Sequence, residues 1–414
     1  MTHIAVRKNN SVVCNLCGAD EYTVVADDTK VIQSPDSSYI FKIRLVCCKK
    51  CGFVYWNPPK SSSELNNYYK NVYRAPVVIL NPDERRREMI RSRFQLLSKY
   101  ATGKSLLEIG SAEGYFLQKA AEEYDKVVGV EPSEEYAEIS RKVVPKADIY
   151  GVIFEDFKST SKYDVICSFF VLEHILDASA HLKQCHDMLS SAGFLYIEVP
   201  DVELYPYQYS NMIWHEHVSH FTHSTIRDIL VKTGFELVDI VSPCSSYKFG
   251  MSVIARKQAR QMGHLCKDSR LNHEAHNLAV RCFEMHHKKV ASYLSALSRS
   301  MDRVLKRVRS AGIKLAIYGT GVYFDSIWRF TSIRKEDVAV VVDDNKEKWG
   351  LLTSHGIRVE PPKSLFTSGV GLVLIASDCY EDKMNDNLVC WSNKQPNKFE
   401  ITKLHSTTLQ YLNQ

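Results

Sequence analysis

Leu106-Leu107-Glu108-Ile109-Gly110-Ser111-Ala112-Glu113-Gly114-Tyr115-Phe116-Leu117 is the stretch on which the fold turns. A short apolar run, two glycines four residues apart and a return to apolar residues describe a strand, a tight turn and a helix start. Gly110 and Gly114 let the backbone pass close to a ligand where a Cβ would clash. A second apolar run, Gly129-Val130-Glu131, ends in an acid 21 residues after Gly110. A carboxylate there accepts hydrogen bonds from both hydroxyls of a ribose. The dinucleotide spacing GxGxxG fails, because Ala112 and Tyr115 stand where glycines are needed.

Outward from this turn, strand and helix alternate. Apolar runs at Ser105–Ile109, Val127–Val130, Tyr163–Phe170 and Phe194–Val199 are short, as buried parallel strands are. Helical patterns at Tyr115–Tyr124, Ser133–Val144 and Ala178–Leu189 separate them, and Asn81-Pro82-Asp83 opens a charged helix that ends near Tyr100. The alternation predicts an α/β fold with a doubly wound parallel sheet. From Leu278 to Val308, apolar residues recur three, four or eight apart, which predicts one face of a long helix or helix pair. Residues 267–310 carry ten Lys/Arg against four Asp/Glu, more than the excess of the whole chain, and read as a connector whose basic face meets water. After Gly312 a second strand–turn–helix series begins, with Lys314-Leu315-Ala316-Ile317-Tyr318-Gly319-Thr320-Gly321 at its head. The expected domains are residues 1–75, 82–256 and 313–414, with the connector over 257–312.

The chain has 414 residues, 45% hydrophobic and 24% charged, with a net charge of +5. This balance argues against a nucleic-acid binder that works through bulk charge. No uncharged apolar run approaches the roughly 18 residues that span a bilayer, and Met1–Val13 has no apolar core of a secretory signal, so a cytoplasmic protein is expected.

Five of the twelve cysteines lie within the first 51 residues. Cys14-x-x-Cys17 and Cys48-x-x-Cys51 form two matched units, each followed by a glycine (Gly18, Gly52), with 30 residues between them. Soft thiolates at this spacing predict a structural zinc site of four cysteines. Cys47 has the wrong spacing to Cys51 to take the place of Cys48. A closed site of four sulfurs has no open position, so its role is folding.

The turn at Gly110, Glu131, and Tyr163-Asp164-Val165-Ile166 leading into Val171-Leu172-Glu173-His174-Ile175 together resemble the class I S-adenosylmethionine-dependent methyltransferases over roughly residues 85–255. That resemblance implies a Rossmann-like methyltransferase sheet. It places Glu108, Gly110, Ser111 and Gly114 around the methionine part of the cofactor and Glu131 on its ribose. Asp156, in Gly151-Val152-Ile153-Phe154-Glu155-Asp156, is the candidate adenine acid.

Ile213-Trp214-His215-Glu216-His217-Val218-Ser219-His220-Phe221 follows the strand that ends in Ile197-Glu198-Val199-Pro200-Asp201 and should border the pocket. HExxH is absent, because Ser219 stands at the second histidine position, so a zincin is excluded. With this segment the whole chain resembles the sugar C-methyltransferases of branched deoxysugar biosynthesis. Those have an N-terminal zinc-binding domain, a central methyltransferase domain and a C-terminal Rossmann-like domain. The resemblance implies methylation of a carbon beside the ketone of a nucleotide-linked 4-keto-deoxysugar. Glu216 and His217 match the family's Glu-His pair, His174 matches its histidine after the fourth central strand, and Tyr68, Tyr69 and Tyr73 are candidates for its sugar-contacting tyrosine.

These residue types suit the chemistry. A histidine removes the proton α to a ketone at neutral pH, a carboxylate such as Glu216 stabilises the resulting imidazolium, and His174 or a tyrosine donates to the enolate oxygen. Two departures stand out. Trp214 replaces a tyrosine common two residues before the glutamate, and the C-terminal turn, Tyr318-Gly319-Thr320-Gly321-Val322-Tyr323-Phe324, lacks the family's lysine. An O-methyltransferase of similar sugars needs the same donor pocket, and an RNA base methyltransferase also combines such cysteine units with this domain. Gly319 and Gly321 with Asp343-Asp344 imitate a dinucleotide site, but Phe324 replaces its third glycine.

Overall fold

The computed structural model describes residues 13–34, 37–59, 61, 65, 82, 84–101, 103–209, 216–245, 247–258, 269–353, 355–393 and 398–412. The chain divides into two compact units, Met1–His286 and His287–Gln414. No described helix is long and apolar enough to cross a membrane.

The first unit opens with a long antiparallel hairpin, β1 (Tyr22–Ser34) and β2 (Ser37–Cys48), and continues into β3 (Val54–Trp56), which pairs antiparallel with β2. After α1 (Glu84–Leu97) come β4 (Ser105–Ile109), α2 (Tyr115–Ala120), β5 (Lys126–Val130), α3 (Glu134–Val143), β6 (Asp148–Tyr150) and β7 (Tyr163–Phe169). Next are α4 (Ala178–Met188), β8 (Leu189–Pro200), β9 (Ser219–His220), α5 (His223–Lys232), β10 (Phe235–Val241) and β11 (Gly250–Lys257). Seven described strands make the central sheet in the order β10-β11-β8-β7-β4-β5-β6. Leu106, Leu107 and Ile109 of β4 are all buried, as helices on both faces require of a central strand. The helices carry their own boundaries: Ser133 caps α3, Glu134 and Glu135 fill its first turn, and Arg141 and Lys142 its last.

This sheet is mixed, which corrects the expected all-parallel one. β11 runs antiparallel to both β8 and β10. Only residues 242–249 separate β10 from β11, fewer than the dozen or so a parallel crossover needs. The N-terminal sheet also differs from a self-contained small domain. Its order is β1-β2-β3-β9, and β9 comes from the segment that follows His217. The cysteine-bearing region and the central sheet thus fall in one compact unit.

α1 is fixed by a buried ion pair. Nε and Nη2 of Arg93 donate to one oxygen of Glu198 at 2.8 and 2.7 Å, and the guanidinium lies 4.0 Å over the Phe169 ring. The other Glu198 oxygen accepts from Tyr196 and Ser252 at 2.8 and 3.0 Å. Glu198 is fully buried, so removing its cation leaves a charge with no water to solvate it. Arg93→Met is expected to destabilise by about 3–5 kcal/mol in chemical denaturation, and Arg93→Met with Glu198→Gln by clearly less. A single variant no worse than a surface substitution would refute the pairing.

α6 (Ser269–Ala311) is one helix of 43 residues, and its residues after His286 belong to the second unit. Cys282, Tyr293, Leu297, Met301, Leu305 and Val308 are buried as their spacing predicts, whereas Leu278 and Met285 are exposed. In the second unit, β12 (Leu315–Tyr318), α7 (Val322–Phe330), β13 (Val338–Val342), β14 (Val359–Glu360), β15 (Leu372–Ile375), α8 (Glu381–Ser392), β16 (Glu400–Lys403) and α9 (Leu404–Leu412) complete the chain. Its sheet, β14-β13-β12-β15-β16, is parallel throughout.

Candidate functional site

The turn after β4 has left-handed backbone at Gly110 (φ +76°), Ala112 (φ +46°) and Gly114 (φ +82°). A Cβ on Gly110 would lie 2.6 Å from Cγ2 of Val171, so the loop after β7 packs directly on this turn. Glu131, at the end of β5, holds the turn from the other side: Ala112 N–H donates to Oε2 at 2.9 Å and Ser133 N–H to Oε1 at 3.0 Å. Ala112 is the one strained non-glycine residue in the turn, and its N–H is aimed at that acid. Glu108 and Ser111 are buried, and neither Glu108 Oε2 nor Ser111 Oγ has a hydrogen-bond partner. Burial pushes the Glu108 carboxyl well above the usual range, Arg93 pulls it down and Glu131 adds to the rise. Unmet buried polar atoms are costly, and a ligand bearing donors would satisfy them. Asp156 is exposed, on the turn where Phe154 packs against His181 and Phe157.

Cys14, Cys17, Cys48 and Cys51 bring their sulfurs within 4.8 Å of one another. Cys14 and Cys51 are 3.6 Å apart and Cys17 and Cys48 3.5 Å, close to the edge of about 3.8 Å in a tetrahedron of Zn–S bonds of ~2.3 Å. Each unit closes a tight turn, Gly18 N–H donating to Cys14 C=O at 2.7 Å and Gly52 N–H to Cys48 C=O at 2.9 Å. A Cβ on Gly52 would meet the Ala275 backbone at 2.6 Å, so glycine is required where α6 passes. Cys47 stands on the opposite face of β2, its thiol 3.5 Å from the Gly52 carbonyl. Lys232, at the end of α5, donates to the carbonyls of Asn15 and Leu16 at 2.7 and 2.8 Å and clamps the Cys14–Cys17 turn to α5.

The segment after Glu216 is held on both sides. Val218 N–H donates to Glu173 C=O at 2.8 Å, Trp56 N–H donates to Val218 C=O at 2.9 Å, and β9 pairs with β3. His174 Nδ1 lies 3.0 Å from the Glu216 carbonyl, and the His174 and His217 rings meet edge-on at 5.1 Å. Nε2 of His174 is 3.9 Å from Glu173 Oε1, and one ligand atom from each of Glu173, His174 and His217 lies within 4.8 Å of the others. Glu173 thus brings a carboxylate to the imidazoles. Glu216 reaches the pair through its backbone carbonyl, which lies against His174. Glu173 was legible in principle, since it precedes His174 in a stretch that reads as common to many methyltransferases. Trp214, Tyr68, Tyr69 and Tyr73 lie outside the described residues.

Two further histidines are structural. His220 is fully buried, bonded through Nδ1 to the Tyr205 hydroxyl at 2.8 Å, and burial pushes it down to about 3. His223 bonds to the buried Asp201 at 2.8 Å, which raises its pKa, and Asp201 also accepts from Ser242. In the second unit, Asp343 resembles the ribose acid of a dinucleotide site. Its oxygens, however, accept from Thr320 N–H (2.9 Å), Thr320 Oγ1, Lys348 Nζ (3.1 Å) and Asn345 N–H (2.9 Å). This carboxylate is committed to the chain itself, and Phe324 is buried where a third glycine would sit.

Residues 83–240 match the methyltransferase domain family. The central domain is a class I S-adenosylmethionine-dependent methyltransferase domain. Outside this methyltransferase domain, residues 1–82 and 241–414 lie beyond the matched region. A protein of Mycolicibacterium smegmatis named a probable S-adenosylmethionine-dependent methyltransferase is 25% identical over 156 residues, covering 37% of this chain and 60% of that protein. A Mycobacterium tuberculosis protein of the same description is 25% identical over 109 residues, covering 26% and 40%. The chain thus spans less than two thirds of the length of the curated relatives it matches. Crystal structures similar to it include an S-adenosylmethionine-dependent methyltransferase from Mesorhizobium loti, at 16% identity and TM-score 0.35, covering 40% of this chain and 98% of that one. Another is magnesium protoporphyrin IX methyltransferase from Synechocystis with bound S-adenosylmethionine, at 13% and 0.36, covering 47% and 96%.

Proposed function

We propose that the chain catalyses S-adenosylmethionine-dependent C-methylation of a nucleotide-linked 4-keto-deoxysugar. The observation that carries this reading is the His174–His217 pair: His174 lies on the loop after β7, whose Val171 packs on the donor turn at Gly110, and His217 meets its ring edge-on. The cofactor supplies an electrophilic methyl group. Glu108, Gly110, Ser111 and Gly114 bind its methionine part and Glu131 its ribose; the unmet Glu108 and Ser111 atoms support this assignment. Asp156, exposed beside the pocket, is the adenine contact in this reading. His217 takes the proton from the carbon beside the ketone, the C–H electron pair stays on the substrate as an enolate, and the proton later passes to solvent. His174 donates to the enolate oxygen, and Glu216 orients the pair. Four thiolates hold zinc, which fixes the two turns and takes no part in the chemistry.

The test is hydrogen–deuterium exchange at the sugar carbon in deuterated water, with S-adenosylhomocysteine in place of the donor. Exchange without methylation supports the carbon acid. Methyl transfer to a hydroxyl with no deuterium uptake at any carbon replaces this reading with O-methylation. For the donor site, Glu131→Ala is expected to weaken S-adenosylmethionine binding by about 1.5–3 kcal/mol per hydrogen bond lost, read by calorimetry. An unchanged dissociation constant would move the donor elsewhere.

A further inference from the structure

We infer that Glu173 is a positioning residue of the imidazole pair, the carboxylate that holds the positive charge His174 and His217 share during proton transfer. The inference rests on the reading of His217 as base and names the acid behind it.

Three features lead there. Glu173 is 1% exposed and its Oε2 has no hydrogen-bond partner, an arrangement no packing role requires. Its Oε1 faces Nε2 of His174 at 3.9 Å, and His217 completes a cluster within 4.8 Å. Only an N–H donates to a carbonyl, so the contact with Glu216 C=O fixes the His174 proton on Nδ1 and turns Nε2 toward Glu173. Nε2 donates to a substrate oxygen only when the ring carries a second proton, and that cation needs a nearby anion.

The surroundings leave Glu173 as that anion. It is faced by Glu198 from β8, by Tyr205 beyond the end of that strand, and by His174 and His217. Glu198 is already paired with Arg93. None of the charges that act on Glu173 among the described residues is a lysine or arginine. Burial pushes its carboxyl up to about 8, with Glu198 adding to the rise. A proton arriving on His217 from carbon favours the ionised form of Glu173, which the cationic imidazole beside it stabilises.

Glu173→Gln keeps the shape and removes the charge, and it separates this role from a structural one. The buried neutral amide should leave the melting temperature unchanged or raised. Exchange of the sugar C–H should fall by about 100-fold or more. Its acid limb should move to lower pH, because an imidazole without the anion stays neutral to lower pH. Independently of any substrate, NMR titration of the full chain should show the His174 and His217 ring signals moving to lower pH in the variant. Imidazole titrations identical to wild type would overturn the inference, as would a melting temperature several degrees lower with an unshifted pH limb. Wild-type protein that exchanges no carbon-bound hydrogen sinks the C-methylation reading instead, and the NMR titration still decides the role of Glu173.

Discussion

His217→Ala is expected to abolish deuterium uptake at the sugar carbon while leaving S-adenosylmethionine affinity unchanged. The two readouts separate because His217 belongs to the segment between β8 and β9, whereas the donor turn is built by β4 and β5. Removing a positioned general base typically costs 10²–10⁴-fold or so. Exchange and methyl transfer should therefore fall together, with calorimetry on the donor as the control. Exchange persisting at the wild-type rate would move the base to His174 or to one of the N-terminal tyrosines. Loss of donor binding in this variant would show instead that the loops after β7 and β8 hold the cofactor as well.

The second large effect lies at the cysteines. Cys48→Ser is expected to release zinc and to collapse the thermal stability of the first unit. Structural zinc in small domains is bound with about 10–16 kcal/mol of apparent free energy, comparable to or larger than the roughly 5–15 kcal/mol by which a domain is stable. Elemental analysis should fall from one zinc per chain to none, and the unfolding transition should drop or split. Cys47→Ser is the matched control: its thiol faces the Gly52 carbonyl on the other side of β2, outside the cluster. Zinc retained with full stability in the Cys48 variant would end the metal assignment.

What the sequence disclosed and what it hid divide along chain distance. Gly110, Gly114 and Glu131 were legible because a turn and the acid that braces it lie within about two strands of each other, and glycine or a terminal carboxylate at those positions has a local cause. The cysteine units announced themselves for the same reason, each being a four-residue turn. Glu173 was harder to single out, because His217 comes from 44 residues further on and nothing in a Leu-Glu-His triplet says which way the carboxylate faces. Arg93 read as one more charge on an amphipathic helix; its burial depends on Glu198, more than a hundred residues on. The reversal of β11 was hidden by a different cause. Continuous apolar runs such as Met251–Ala255 are the same whether a buried strand runs up or down, and only the short link from β10 forces the direction.

The pairing of β3 with β9 has a consequence for how the chain comes to be active during synthesis. Val54 and Tyr55 leave the ribosome some 160 residues before Ser219 and His220, their partners in the sheet. Until then β3 offers an open edge, and open edges recruit other strands. The cysteine-bearing hairpin is local in the chain, but the segment that supplies β9 is made only after β4 to β8. A chain released before Ser219 would leave that edge of β3 unpaired, so completion of this sheet waits on the central sheet as far as β8.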